Sequence, residues 1–213
     1  MRSFTIVFRA VLSGLAFLPF EAYSYLKESS APRRSFKIII SIVTLALVIG
    51  FISLSNWEAE TLKAKIKFDI GGPFGTVHGS FSGLKTTIVF NENDLAGSSI
   101  LASIQAATIG TGIGLRNRDL RDKEEWLNSK KYPMISFHSV KIEKTGTGYK
   151  AIGNLMMKNT TKAVEIPFTF NANGNSGLFK GRFDIKRSDF NVGKEGGSVA
   201  AIMTITLEVP VKK

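Results

Sequence analysis

The chain has no cysteine and only two histidines, His78 and His138, among its 213 residues. Without thiols there is no disulfide framework, thiolate zinc site, iron–sulfur cluster or cysteine nucleophile. Two imidazoles are too few for a multi-histidine metal centre, so neither a metal nor a cofactor is expected. A dense basic run interleaved with aromatics is also missing, which leaves nucleic acid out of the expected partners. What is present is an ordered composition: 44% apolar residues and 20 glycines exclude a disordered chain and ask for many turns. The length suits one domain with an appendage.

Charge is strongly one-sided, with 28 Lys and Arg against 17 Asp and Glu. Six of the basic side chains (Arg2, Arg9, Lys27, Arg33, Arg34 and Lys37) fall within residues 1–37 beside only Glu21 and Glu28. The remainder still carries seven positive charges in excess, which favours an anionic lipid surface or polymer.

Residues 38–57, IIISIVTLALVIGFISLSNW, contain no charge. A helix of this run would reach roughly 30 Å, the thickness of a bilayer core. Arg33, Arg34 and Lys37 precede it and Glu58 and Glu60 follow, which sets residues 1–37 as a basic cytoplasmic leader and the rest outside. Trp57 would be an interfacial anchor. Two readings compete, a transmembrane tether and a cleaved signal peptide with its small-x-small pattern at Ser53-Leu54-Ser55. Both place residues 58–213 in the periplasm or another extracytoplasmic space, and a tether would hold them close to the inner-membrane surface through residues 58–62. The shorter apolar stretch 10–20 is assigned no role.

Beyond Glu60 the hydrophobic period becomes two. Ala64, Ile66, Phe68 and Ile70 alternate with Lys63, Lys65, Lys67 and Asp69. The same pattern runs through Val164–Phe170, Phe179–Ile185 and Val199–Val209, with polar turns between. About eight short strands in this style predict an antiparallel sandwich or barrel. Pro167 predicts an edge or a bulge in its strand. Residues 116–128 break the pattern, and their charges with Leu120, Trp126 and Leu127 predict a short amphipathic helix. The inward candidates are Phe68, Phe81, Ile104, Phe137, Met157, Phe168, Phe170, Phe183 and Met203, interspersed with Gly79, Ala102, Gly153 and Gly181. Such a mixture either interdigitates into a filled core or leaves an apolar space, and the alternation does not choose.

Four stretches in order resemble the YceI-like family of bacterial polyisoprenoid-binding proteins. They are Gly75-Thr76-Val77-His78-Gly79-Ser80-Phe81-Ser82-Gly83-Leu84; Arg118-Asp119-Leu120 with Lys131-Tyr132-Pro133-Met134-Ile135-Ser136-Phe137; Gly153-Asn154-Leu155 with Thr160-Thr161-Lys162-Ala163-Val164; and Ile185-Lys186-Arg187-Ser188-Asp189-Phe190. The resemblance implies an all-β fold, an eight-stranded antiparallel lipocalin-like barrel with one short helix, here preceded by the N-terminal transmembrane or signal helix. It also implies a hydrophobic tunnel for an isoprenoid or other long-chain lipid, with the nine inward candidates as its ligand contacts. Three departures stand out: residues 116–131 lack the histidine many members carry there, a frequent Ile-His-Gly turn reads Met157-Lys158-Asn159, and a tether would replace the family's usual short, cleaved signal.

Other motifs have plainer explanations. His78 and His138 lie near Ser80 and Ser136 but lack an orienting third group, so strand histidines at a polar surface are expected. Asp119, Asp122, Glu124 and Glu125 are interleaved with arginines and lysines, as i,i+4 ion pairs on a surface helix would be. Gly110-Thr111-Gly112-Ile113-Gly114 lacks the Lys-Ser/Thr ending of a phosphate loop and suits a mouth loop. Arg187 is expected to pair with Asp189, with a ligand's pyrophosphate as its functional alternative. The expected function is a non-enzymatic lipid-binding module, with a ligand-free structural barrel and a lipid- or quinone-modifying enzyme as rivals; a homodimer is left open.

Overall fold

The computed structural model describes residues 56–213. The basic leader, the stretch 10–20, the run up to residue 55 and the Ser53–Ser55 pattern lie outside the described residues. Among the described residues no helix is long and apolar enough to cross a membrane.

Ten antiparallel segments follow one another: β1 (Asn56–Ala59), β2 (Lys65–Gly72), β3 (Gly75–Phe81), β4 (Lys85–Val89), β5 (Ser99–Gln105), β6 (Met134–Thr145), β7 (Gly148–Met157), β8 (Thr160–Asn173), β9 (Ser176–Lys186) and β10 (Ile202–Lys212). They amount to eight strands. β1 and β2 both pair with β10, at Ala59↔Val211 and at Ile66↔Leu207, so they are one strand broken at residues 60–64. β4 pairs with β1 and β3 with β2, so these two are likewise one strand, broken at residues 82–84. The meander closes because β1 sits between β4 and β10. The expected eight-stranded closed barrel is what the chain forms.

The breaks have local causes. Pro210 offers the first one a carbonyl, which accepts from Glu60 N–H at 2.8 Å, but has no N–H to continue the ladder. At the second break β3 swings away from β5. The segment after β5 fills the gap through a two-bond bridge between Ser80 and Gly110 and through the Thr108 hydroxyl, which donates to Ser82 O at 3.0 Å. Pro167 marks a third irregularity, as expected: the β8–β9 ladder starts at Phe168, and residues 160–167 have no partner on β9.

Three expectations are corrected. The helix, α1 (Gly114–Asp122), begins and ends earlier than residues 116–128. Leu127 instead folds back so that its N–H donates to Leu120 O at 3.0 Å, which brings the two leucines together by a turn rather than along one helical face. β10 begins only at Ile202; Val199 and Ala201 belong to the preceding loop, whose carbonyls are used by Arg187. Trp57 is no membrane anchor: it is buried in β1, its indole N–H donating to Phe90 O at 3.2 Å. Residues 58–62 are therefore strand and turn, not a free connection.

Trp57 belongs to an aromatic cluster that fills one end of the barrel. Phe90 is its centre, only 1% exposed, with the rings of Tyr149, Phe168, Phe170 and Phe179 between 5.0 and 5.7 Å away, all four edge-on. Trp57 meets Phe170 edge-on at 5.0 Å. Edge-to-face contacts of this kind add to the burial of large side chains. Gly177 is needed here, since a Cβ would come within 2.7 Å of the Phe170 ring. We call this end the floor. The Tyr149 hydroxyl leaves the cluster to donate to Glu92 Oε1 at 2.5 Å.

Replacing Trp57 by Ala is expected to destabilise the full chain by about 3–5 kcal/mol in urea unfolding, because it removes both the wedge and its hydrogen bond. A loss under about 1 kcal/mol would show that the floor does not hold the barrel closed. The same end supplies a pH test. The hydrogen bond to Glu92, helped by burial, pushes the Tyr149 phenol from 10.0 up to about 12. A raised folded pKa gives stability that is complete below the unfolded value and is lost as pH climbs through the folded one. The stability advantage of the native chain over Tyr149→Phe should therefore be constant below pH 10 and shrink toward pH 12; a difference independent of pH would contradict this.

Candidate functional site

Above the floor the barrel is not filled. An apolar cavity of ≈ 690 Å³ runs from the aromatic cluster to the opposite end, which we call the mouth. This volume lies within the range of ligand pockets, roughly 300–1,000 Å³. Eight of the nine inward candidates line it: Phe68, Phe81, Ile104, Phe137, Met157, Phe168, Phe183 and Met203. Phe170 does not. It faces inward as its strand period requires, but one step deeper, packed against Trp57, Phe90 and Phe179.

The small residues divide into two groups. Ala102 and Gly181 border the empty space. Gly79 and Gly153 are already covered: a Cβ on Gly79 would overlap the Phe68 ring, and one on Gly153 would overlap the His138 carbonyl and the Phe137 ring. Gly79 thus lets Phe68 lie flat across β3, while a Cβ on Gly181 would press on the Pro167 carbonyl at 3.2 Å.

At the mouth stand the β2–β3 turn, the segment between β5 and β6 that carries α1, the β7–β8 turn, and the loop between β9 and β10. Phe74 on the first is fully exposed, and Ile113 and Leu115 at the start of α1 are 49% and 62% exposed while still lining the cavity. The glycine-rich stretch before α1 is therefore part of the mouth, as expected. It is tied down at Thr111, whose backbone N–H and hydroxyl both donate to Asn117 Oδ1, at 2.8 and 2.7 Å. Asp119 lines the rim and is paired with Lys123 at 3.0 Å, the i,i+4 geometry anticipated for this helix.

Arg187 differs from expectation. It is 3% exposed, and its guanidinium gives its hydrogen bonds not to Asp189 but to four backbone carbonyls: Nε–H to Ala200 O, Nη1–H to Val192 O, and Nη2–H to Lys194 O and Val199 O, all at 2.8–2.9 Å. Four of the five guanidinium N–H groups are thereby committed, which makes Arg187 the spool on which the β9–β10 loop is wound. Sequence reasoning found the residue but not its partners, since carbonyls carry no residue-type signal.

Lys158, which stands in the departed turn, was missed altogether. It and Asn159 have φ of 48° and 60°, as a two-residue hairpin turn requires. Its ammonium donates to Glu124 O at 2.6 Å and to Asn191 O at 2.7 Å, tying three mouth segments together. Partial burial holds its pKa below the usual lysine value.

The histidines lie away from the cavity. His78 is on the outer face of β3 with Nδ1 2.6 Å from Asp69 Oδ1, and His138 is exposed on β6. Among the described residues no three His, Asp or Glu side chains are placed to hold a metal ion.

A closed up-and-down meander around an apolar space, plugged at one end and open at the other, is lipocalin-type architecture. The YceI-like domain matches residues 57–212, and the chain belongs to this family. Among relatives, a UPF0312 protein of Yersinia pestis (strain Pestoides F) is 28% identical over 142 residues, covering 64% of this chain and 73% of its own length. Among solved structures, Burkholderia cenocepacia BcnA superposes with a TM-score of 0.68 at 26% identity, over 72% of this chain and 99% of that one. A polyisoprenoid binding domain from Saccharophagus degradans shares the fold, with a TM-score of 0.57 at 12% identity over 75% of this chain and 99% of its own.

Replacing Arg187 by Met leaves four carbonyls without their donor, one buried and three part-buried, and we expect a loss of about 2–4 kcal/mol together with faster amide exchange confined to residues 188–201. Exchange that accelerated uniformly over the barrel would show instead that Arg187 supports the whole fold.

Proposed function

We propose that this chain is a non-enzymatic envelope protein that holds or shuttles a long apolar molecule of isoprenoid or fatty type inside its barrel. The observation that carries the reading is the apolar cavity with a closed floor and an open mouth. The ligand class is supported by the polyisoprenoid binding domain that shares this fold. Phe68, Phe81, Ile104, Phe137, Met157, Phe168, Phe183 and Met203 are then the contacts, with Phe170 backing the floor behind them.

The energetics suit such cargo. Each buried methylene is worth about 0.8 kcal/mol, so ten of them offer about 8 kcal/mol, against which the costs of association are set, and each further methylene tightens binding. No special chemistry is needed. Three of the polar groups at the wall are already engaged: the Thr86 hydroxyl donates to Leu101 O at 2.6 Å, Asp119 is ion-paired, and Arg187 is committed to carbonyls.

We place the barrel on the extracytoplasmic side, tethered by the apolar run ahead of Asn56 or released after cleavage within it, with the anionic inner-membrane surface as the neighbour its positive charge favours. The test is native mass spectrometry of the full chain, purified in mild buffer from a bacterium with an envelope, followed by organic extraction. A co-purifying isoprenoid or fatty mass is the expected result, together with uptake of added polyprenol that Ala102→Trp abolishes without unfolding the barrel. Protein that is repeatedly empty and takes up neither quinone nor polyprenol would overturn the proposal in favour of a ligand-free structural barrel.

A further inference from the structure

The cavity is blind. Phe168 and Phe179 line its lower end, and behind them there is only more aromatic side chain: Phe170 lies 4.4 Å from Phe179, and Phe90 5.7 and 5.4 Å from Phe168 and Phe179. Phe90 and Val211 are each 1% exposed, so no passage continues below. A chain that enters at the mouth must end at these two rings.

The depth follows from register. Met203 borders the cavity near the mouth and Val209, which also borders it, is paired with Phe179. The six residue steps between them cover about 20 Å along β10, or about 15 Å down a barrel whose strands tilt by about 40°. An extended saturated chain, advancing about 1.25 Å per carbon, spans that depth with about a dozen carbons. The volume is more generous. If a methylene takes about the same 30 Å³ as a water, ≈ 690 Å³ holds roughly 20–25 carbons. Space therefore allows a bent or branched chain, and total capacity, not straight reach, sets the limit.

We propose that the Phe168–Phe179 floor is a size gauge: the barrel fully encloses apolar chains up to roughly 20–25 carbons, and any longer chain keeps its excess outside the mouth. The inference rests on the lipid-binding reading and names the determinant within it. Two side chains set the gauge from opposite directions. Phe179 can be cut back, releasing the space of a phenyl ring. Ala151 can be enlarged: it borders the cavity, is 1% exposed, and is paired with Ile166, two residues before Phe168 on β8, so a longer side chain there raises the floor.

The experiment measures displacement of a bound fluorescent alkyl probe from the full chain by a series of unbranched and polyprenyl alcohols of increasing length. Affinity of the native chain should rise up to about fourfold per added methylene and then stop rising at roughly 20–25 carbons. In Phe179→Ala the break should move up by as many as about six carbons, the content of the lost ring; in Ala151→Leu it should move down by about three, the carbons gained. Circular dichroism checks that each variant is folded, and Ala151→Leu decides alone if the larger truncation is not. Retention of chains with no break in length, or a break that neither variant moves, overturns the gauge and leaves lipid binding standing. Failure of the probe and of every alcohol to bind overturns both.

Discussion

Everything in the barrel depends on one four-residue strand. β1 hydrogen-bonds β4 on one side and β10 on the other, so Asn56–Ala59 converts a curled sheet with two open edges into a closed wall. Closure matters twice. It removes edges that would otherwise pair with other chains, and it carries Trp57 inward to complete the aromatic cluster around Phe90. The cavity begins where this cluster ends, at the rings of Phe168 and Phe179. Dense aromatic packing at one end compensates for the interior contacts that the empty middle forgoes.

The two ends are built on different principles. The floor is a set of interlocking rings on long, regular strands. The mouth is assembled from loops, and polar groups hold those loops in place: Arg187 binds four carbonyls, Lys158 bridges the β7–β8 turn to residues 124 and 191, and Asn117 grips Thr111. Arg187, a buried cation satisfied by carbonyls, is costly to remove, since partners out of water are left without a donor. The rim can therefore be both irregular and well defined, and it can leave Phe74, Ile113 and Leu115 in water without losing its shape.

Much of this was legible in the residues. Period-two alternation identified the strands and the inward faces, and Pro167 announced the end of a ladder because a residue without an N–H can do little else in a sheet. Depth was not legible. Phe168 and Phe170 obey the same alternation, yet one borders the cavity and the other is buried under it, since a period reports a face and not a height. Trp57 was misread for a related reason: the apolar run ahead of the barrel continues without a break into its first strand, and hydropathy alone cannot find the seam. Arg187 was visible as a conspicuous charge, but the carbonyls that satisfy it come from a loop whose path no side chain reveals.

Strand polarity has one more consequence. β1 enters the barrel at the floor and β10 ends there, with Glu58 paired to Lys212 and the N–H of Lys213 donating to Asn175 O at 2.8 Å. Both ends of the described chain thus emerge beneath the aromatic cluster, a full barrel length from the opening. The rim, where the cavity opens, therefore involves neither end of the described chain, and the loops that shape it are free of the constraint that closes the wall.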